Sequence, residues 1–500
     1  MRALSLAVLL ATALAAPAFA QVPCEDGIAD GYPCDRVDLL AHLDFEALGV
    51  PDARRGNDIW GWTDPATGTE YALAGTWDGV SFVDLSDPTA PRLVGVLPSA
   101  QPPSNTGNNW RDIKTRGVFA FVVSEANGHG MQVFDLRRLR DVTGAPVTFT
   151  PDARYTQAGD VHNVVADESL DVVALVGFTS SSSDCGGGGL HLVDISTPTQ
   201  PTFAGCYDDD GYTHDAQCLV YDGPDTDYTG RAICLSSNES FLSISDITDP
   251  ANVVGISAGI YATPAYTHQG WLTEDKRFFI INDELDERNG IVPTTRTIVM
   301  NVEDLDDPFF VGAYLSDVTT IDHNLYVRGD FIYQANYESG LRVFRFNPED
   351  PTNFEPIGFF DTYPEDDRTS SFNGAWSTYP FFESNIVIIG DRERGLFVVR
   401  PDLTGVTAED EVPETVALSA AYPNPFRRAT QLDLDLPRPE PVRAVAYDLL
   451  GRQVASLYDG LAEAGRLSLS LDGARLAAGV YVIQIQSPSF SLTRRVTLAR

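Results

Sequence analysis

Four of the seven histidines fall at nearly equal intervals: His162, His214, His268 and His323 are 52, 54 and 55 residues apart. Imidazole holds divalent transition metals and moves protons near neutral pH. Equal spacing puts the four at one point of a structural repeat, so they converge if the repeats close into a ring. Asp58 and Arg111 stand in the same phase, with Trp376 near it in the last repeat. Neutral imidazoles beside carboxylates predict a divalent metal that polarises a substrate or activates water. Arg111, next to His162 in the ring, predicts a carboxylate-binding group. The competing expectation is structural, each histidine tying its strand to the next repeat by hydrogen bonds. His42, His129 and His191 lie outside this register.

Two acidic runs are candidate hard-cation loops. Asp208, Asp209 and Asp210 precede GYTHD, while Asp283, Glu284 and Asp286 belong to NDELDE. Calcium takes several carboxylate oxygens from one flexible loop. Neither run has the spacing of a defined calcium loop, so solvated surface is the competing expectation. Gly186 to Gly189 form a glycine run without a P-loop lysine, which reads as a turn. The chain has no HExxH and no CxxC.

The elements that carry these residues are repeats of one short pattern. A glycine, alternating apolar residues and an aspartate or its substitute recur at Gly79 (GVSFVD), Gly130 (GMQVFD), Gly189 (GLHLVD), Gly340 (GLRVFR) and Gly395 (GLFVVR). Divergent copies end at Asp246 and Asn301, so seven copies recur about every fifty-three residues. A period of two, rich in β-branched and aromatic residues and punctuated by Gly, Pro and Asp, is strand chemistry. Four short strands with turns fill such a repeat, which predicts an all-β fold, a seven-bladed β-propeller. The last repeat holds only three strands. The segment VDLLAHLDF, ending at Phe45, is expected to supply the fourth and remove an open edge.

The ends and the bulk composition set the compartment. Arg2, the apolar run Leu4 to Ala16 and Ala18-Phe19-Ala20 read as a signal peptide over residues 1–20, too short in its apolar core to span a bilayer. No other stretch is long enough to be a transmembrane helix. Six cysteines in an exported chain predict disulfides. Fifteen connectivities are open, and proximity favours Cys24–Cys34, Cys185–Cys206 and Cys218–Cys234. A net charge of −37, with Lys114 and Lys276 the only lysines, excludes nucleic acid and anionic membranes as expected partners. The propeller is expected over 21–402 and an acidic linker over 403–419. Residues 420–500 turn mildly basic and alternate in QLDLDL and VYVIQIQ, which predicts a small immunoglobulin-like β-sandwich.

Longer motifs carry two resemblances. CEDGIADGYPCDRVDLLAHL, WRDIKTRG, GHGMQVFDL, GYTHDAQCLVYDGPD, YTHQGWLTED, DHNLYV and QANYESGLRVF resemble the bacterial choice-of-anchor B family, whose repeats are of the LVIVD type. That resemblance implies an extracytoplasmic protein and no established activity. AYPNPF at Ala421, DLLGR at Asp448 and AAGVYVIQI at Ala477 resemble the type IX secretion C-terminal sorting domain. This implies that residues 420–500 engage the type IX machinery, with export across the outer membrane and cleavage of the tail. The expected function is a secreted or cell-surface scaffold for an extracellular ligand. The alternative is a metal-dependent lyase or hydrolase working at the histidine ring.

Overall fold

The chain is seen in a computed structural model describing residues 21–51, 55–102, 110–178, 185–365 and 371–403, and most of 416–499. Residues 1–20, expected to be a signal peptide, and most of the expected linker 403–419 lie outside the described residues. Two compact units result, Met1–Asp402 and Leu403–Arg500.

Among the described residues, the first unit holds seven sheets built on antiparallel strands. Their first strands are Gly56–Thr63, Arg111–Arg116, Asn163–Val165, Asp215–Val220, Thr267–Leu272, Asn324–Arg328 and Ala375–Tyr379. Each of these packs on the next, and Ala375–Tyr379 returns to Gly56–Thr63, so the series closes. The protein is all-β and propeller-like, with one short 3-10 turn among the described residues, at Leu136–Leu139.

The recurring pattern is each sheet's third strand, and its punctuation has physical causes. Gly130, Gly340 and Gly395 open their strands at φ of 65°, 70° and 91°. A Cβ there would sit 2.1, 2.1 and 2.5 Å from a fourth-strand carbonyl oxygen, so only glycine fits. At the other end, the carboxylates of Asp84, Asp194 and Asp246 accept the N–H of Ser86, Ser196 and Thr248, turning the chain. The fourth strand bulges in midcourse beside a glycine: Val94 is the extra residue after Phe82 pairs with Gly95, and Ala204 after Leu192 pairs with Gly205. A Cβ on Gly205 would overlap the Pro250 carbonyl of the neighbouring sheet.

The seventh sheet is completed by Val37–Leu43, antiparallel to Gly395–Pro401 with Leu43 facing Leu396. The N-terminal segment does more than this. Ile28–Ala29 and Tyr32–Asp35 extend the sixth sheet beyond Glu355–Phe360. The disulfides are Cys24–Cys34, Cys185–Cys206 and Cys218–Cys234. The first braces the N-terminal extension, and the third staples directly paired residues of the fourth sheet.

The second unit has a three-stranded sheet containing Ala429–Leu436 and Gly465–Asp472, and a four-stranded sheet containing Glu440–Asp448 and Gly479–Gln486. Leu432, Leu434 and Leu469 of one share a core with Val442, Ile483 and Ile485 of the other.

Candidate functional site

The structure brings His162, His214, His268 and His323 together as a continuous arc. Successive ring centroids lie 4.8, 4.2 and 4.4 Å apart. Trp376 continues the arc 4.3 Å from His323, and Trp110 stacks on Trp376 at 4.7 Å. With Tyr266, Glu284, Tyr337, Phe372 and Arg392 they line a cavity of about 200 Å³.

Hydrogen bonds fix the imidazole tautomers. His214 Nδ1 lies 2.9 Å from the His268 carbonyl, and His323 Nδ1 lies 2.5 Å from that of Trp376. A carbonyl only accepts, so Nδ1 carries the proton and, in the neutral ring, Nε2 keeps its lone pair. Each bond joins adjacent sheets, the structural tie expected of these residues. Burial holds His214 and His268 well below the usual histidine range and brings His323 to about 3, so all three are neutral at pH 7. His162 differs. Burial opposes its cation, but Glu125 at 2.6 Å outweighs that and raises the pKa.

A second set of residues at the site, of which the sequence singled out only Glu284, has its own repeat phase. Each directly follows the second strand of its sheet or comes two residues later: Glu125, Glu284, Tyr337 and Arg392. The loop register could have found them, since the second strands end at Ser124, Asp283, Ala335 and Asp391. Glu284 accepts the Tyr337 hydroxyl at 2.6 Å, and burial raises its pKa to about 7. Its carboxylate lies between two imidazoles, Oε2 being 3.9 Å from His268 Nε2 and Oε1 3.8 Å from His323 Nε2. The Arg392 guanidinium stacks over Trp110 and Trp376 at 4.9 and 5.3 Å. Its Nε is buried without a hydrogen-bond partner, and it forms no ion pair among the described residues.

Three expectations are corrected by this geometry. Arg111 does not face the cavity. Its Nε donates to the Thr76 carbonyl at 2.9 Å, and its Nη1 meets His129 Nε2 at 3.2 Å. Trp110 takes its place, and the cavity's arginine is Arg392. Asp58 belongs to a different layer, because register shifts at Gly56/Ile59 and Ala375/Ser377 rotate side chains out of a count in twos. The acidic runs are mostly consumed by the fold. Asp208 accepts the Gly187 N–H, while Asp210 accepts hydroxyls of Tyr207 and Ser243; Asp209 is exposed. Asp283 and Asp286 are paired with Arg296, so only Glu284 of NDELDE reaches the cavity.

The layer holding Asp58 lies one residue after the cavity-lining position in five sheets, and two residues after Trp110 in the second. Asp58, Asp112, Asn163, Asp215, Gln269, Asn324 and Ser377 come one from each sheet. Asn324 donates to Asp58 and Ser377, and Gln269 caps the Leu325 N–H. Lys114 is buried among them, 2.5 Å from Asp112 and over the Trp60 ring at 4.6 Å. Burial disfavours its ammonium, but Asp112, Tyr326, Asp58 and Asp215 outweigh that and raise its pKa. Burial in turn lifts Asp58 and Asp215 to about 7.

Two remaining features are structural. GISAG at Gly255 spells the nucleophile-elbow pattern, yet Ser257 sits inside the strand Val254–Gly259 and donates to the Leu305 carbonyl. His42 stacks on Phe397 at 4.1 Å within the closing strand pair.

Comparison with known proteins assigns two parts of the chain. Residues 70–97 and 185–209 are LVIVD repeats, and residues 420–499 are a secretion system C-terminal sorting domain. The sorting domain and the disulfides mark an exported protein. No helix among the described residues is long and apolar enough to cross a membrane. No curated protein matches the chain. Among solved structures it is similar to PorZ, a surface component of the type-IX secretion system of Porphyromonas gingivalis, at 14% identity and TM-score 0.44, covering 89% of this chain and 59% of PorZ. It is also similar to the periplasmic gluconolactonase PpgL of Pseudomonas aeruginosa, at 10% identity and TM-score 0.42, covering 83% of this chain and 99% of PpgL. Likeness at that level says nothing of ligand or activity.

Proposed function

We propose that this chain is an exported seven-bladed β-propeller of the choice-of-anchor B kind that binds a small anionic ligand at its channel mouth. The propeller spans 21–402 and a linker 403–419. Residues 420–500, an immunoglobulin-like sandwich, hand it to the type IX machinery for delivery to the cell surface or the medium. Arg392 carries the binding reading. A guanidinium buried against a stacked pair of indoles with an unpartnered Nε is costly unless an anion completes it. Trp110, Trp376 and Phe372 beside it offer flat apolar faces, which suit a carboxylate borne on a sugar or aromatic ring. The neutral imidazoles add uncharged polar contacts, which supports reading the site as a binding scaffold.

The test uses glucuronate and benzoate as probes, with fluorescence of the pocket tryptophans as the readout. Saturable binding by one of them is expected, weakened at least tenfold in Arg392→Met. Binding unaffected by that substitution, or no response to either probe, overturns the anion reading.

The delivery reading has its own measurement. A chain lacking residues 420–500 is expected to accumulate in the periplasm with its propeller folded, since the two units have separate cores. Truncated protein recovered at the cell surface by fractionation contradicts it.

A further inference from the structure

We propose that His268, His323 and Glu284 bind a first-row divalent transition metal in the wall of the mouth cavity. Glu284 approaches the two imidazole Nε2 atoms at 3.9 and 3.8 Å. Those separations are too long for hydrogen bonds, which end near ~3.2 Å. They match donors that share an ion: with bonds of about 2.0–2.2 Å, two ligands of one metal lie roughly 3.0–4.3 Å apart. The three donor atoms all lie within 4.8 Å of one another.

The surroundings orient the donors for that role. His323 Nδ1 faces the Trp376 carbonyl, so the Nε2 lone pair is the one presented to Glu284. The Tyr337 hydroxyl donates to Glu284 Oε1 at 2.6 Å and holds the carboxylate in place. Hydrogen bonds of this kind, to the second imidazole nitrogen and to the carboxylate, fix metal ligands in place and sharpen affinity. Glu284 also brings a charge that two imidazoles lack. Two nitrogens and one carboxylate favour manganese, iron, cobalt or zinc over calcium or magnesium, which prefer all-oxygen shells.

The site lines the cavity that holds Arg392, so open coordination positions would face a ligand bound there. A carboxylate could then bridge metal and guanidinium. The inference shares its cavity with the anion reading but not its residues, so the two fail separately: Glu284→Gln tests the metal and Arg392→Met the anion.

The experiment treats the purified mature chain with chelator and titrates Co²⁺ alone, reading visible absorption and bound metal per chain. One equivalent is expected, with absorption bands of nitrogen-coordinated cobalt. Glu284→Gln keeps the shape and the Tyr337 contact but removes the charge, and should weaken binding at least tenfold. Asp304→Asn is the control, because Asp225, Asp304 and Asp306 form a separate acidic group, two of them exposed. No stoichiometric cobalt, cobalt retained unchanged by Glu284→Gln, or cobalt lost in Asp304→Asn would overturn the proposal.

Discussion

Deleting Val37–Leu43 is expected to abolish cooperative folding of the first unit. The strand inserts Val37, Leu39, Leu40 and Leu43 into buried positions. At about 1.5–3 kcal/mol for each buried side chain, their combined loss is ~6–12 kcal/mol, comparable to the ~5–15 kcal/mol that keeps a domain folded. Removal also strips the cover from Gly395–Pro401, whose edge would then pair with other chains. Thermal unfolding and size-exclusion chromatography check this. A truncated chain that stays monomeric and melts as the full one does would show that the seventh sheet needs no fourth strand.

Lys114→Met is the second large effect, and it carries a pH signature. The substitution preserves the stem's length and its packing on Trp60 but leaves Asp112, Asp58 and Asp215 without their buried cation. Breaking such a cluster costs about 3–5 kcal/mol. Asp58 and Asp215 already titrate near 7, well above ordinary carboxylates. A raised carboxyl pKa means the folded state holds protons the unfolded state releases. Its contribution is therefore full below the unfolded value and is lost as pH rises through about 7. Without Lys114 both values rise further, so the deficit of the variant should be largest at pH 8 and shrink towards pH 5. Denaturant melts at the two pH values measure it. A deficit equal at both, or below ~1 kcal/mol at pH 8, would show that the lysine does not neutralise these groups.

Much of the ring was readable before any coordinates. The glycine of the third strand and the aspartate after it stand where backbone carbonyls and N–H groups require them, so five of the seven copies keep the glycine and five end in Asp or Asn. The histidines were found because one inner-strand position faces the cavity in four successive sheets. The same reasoning misplaced Arg111 and Asp58. A bulge adds one residue, and one residue moves a side chain from one layer to the next, as Asp58 shows. Glu284 was read as part of a hard-cation loop, and the structure places it alone of that run at the cavity, between His268 and His323. Its neighbours Asp283 and Asp286 are spent on Arg296, which lies in the following strand and bears no sequence mark of that pairing. Arg392 was missed because the reading followed strands, while this residue lies in the turn after one.

The buried polar layer also determines how anything can travel. Below the histidine arc, Lys114 and its carboxylates fill the axis. Trp60, Trp271, Tyr326 and Phe381 pack edge-on beneath, with centroids 5.0 to 6.3 Å apart. A molecule held against Arg392 as proposed would have these layers behind it, so its residence time would be decided by the loops that follow the second strands. Relatives that keep the layers but alter those loops would be expected to trade ligands without rebuilding the ring.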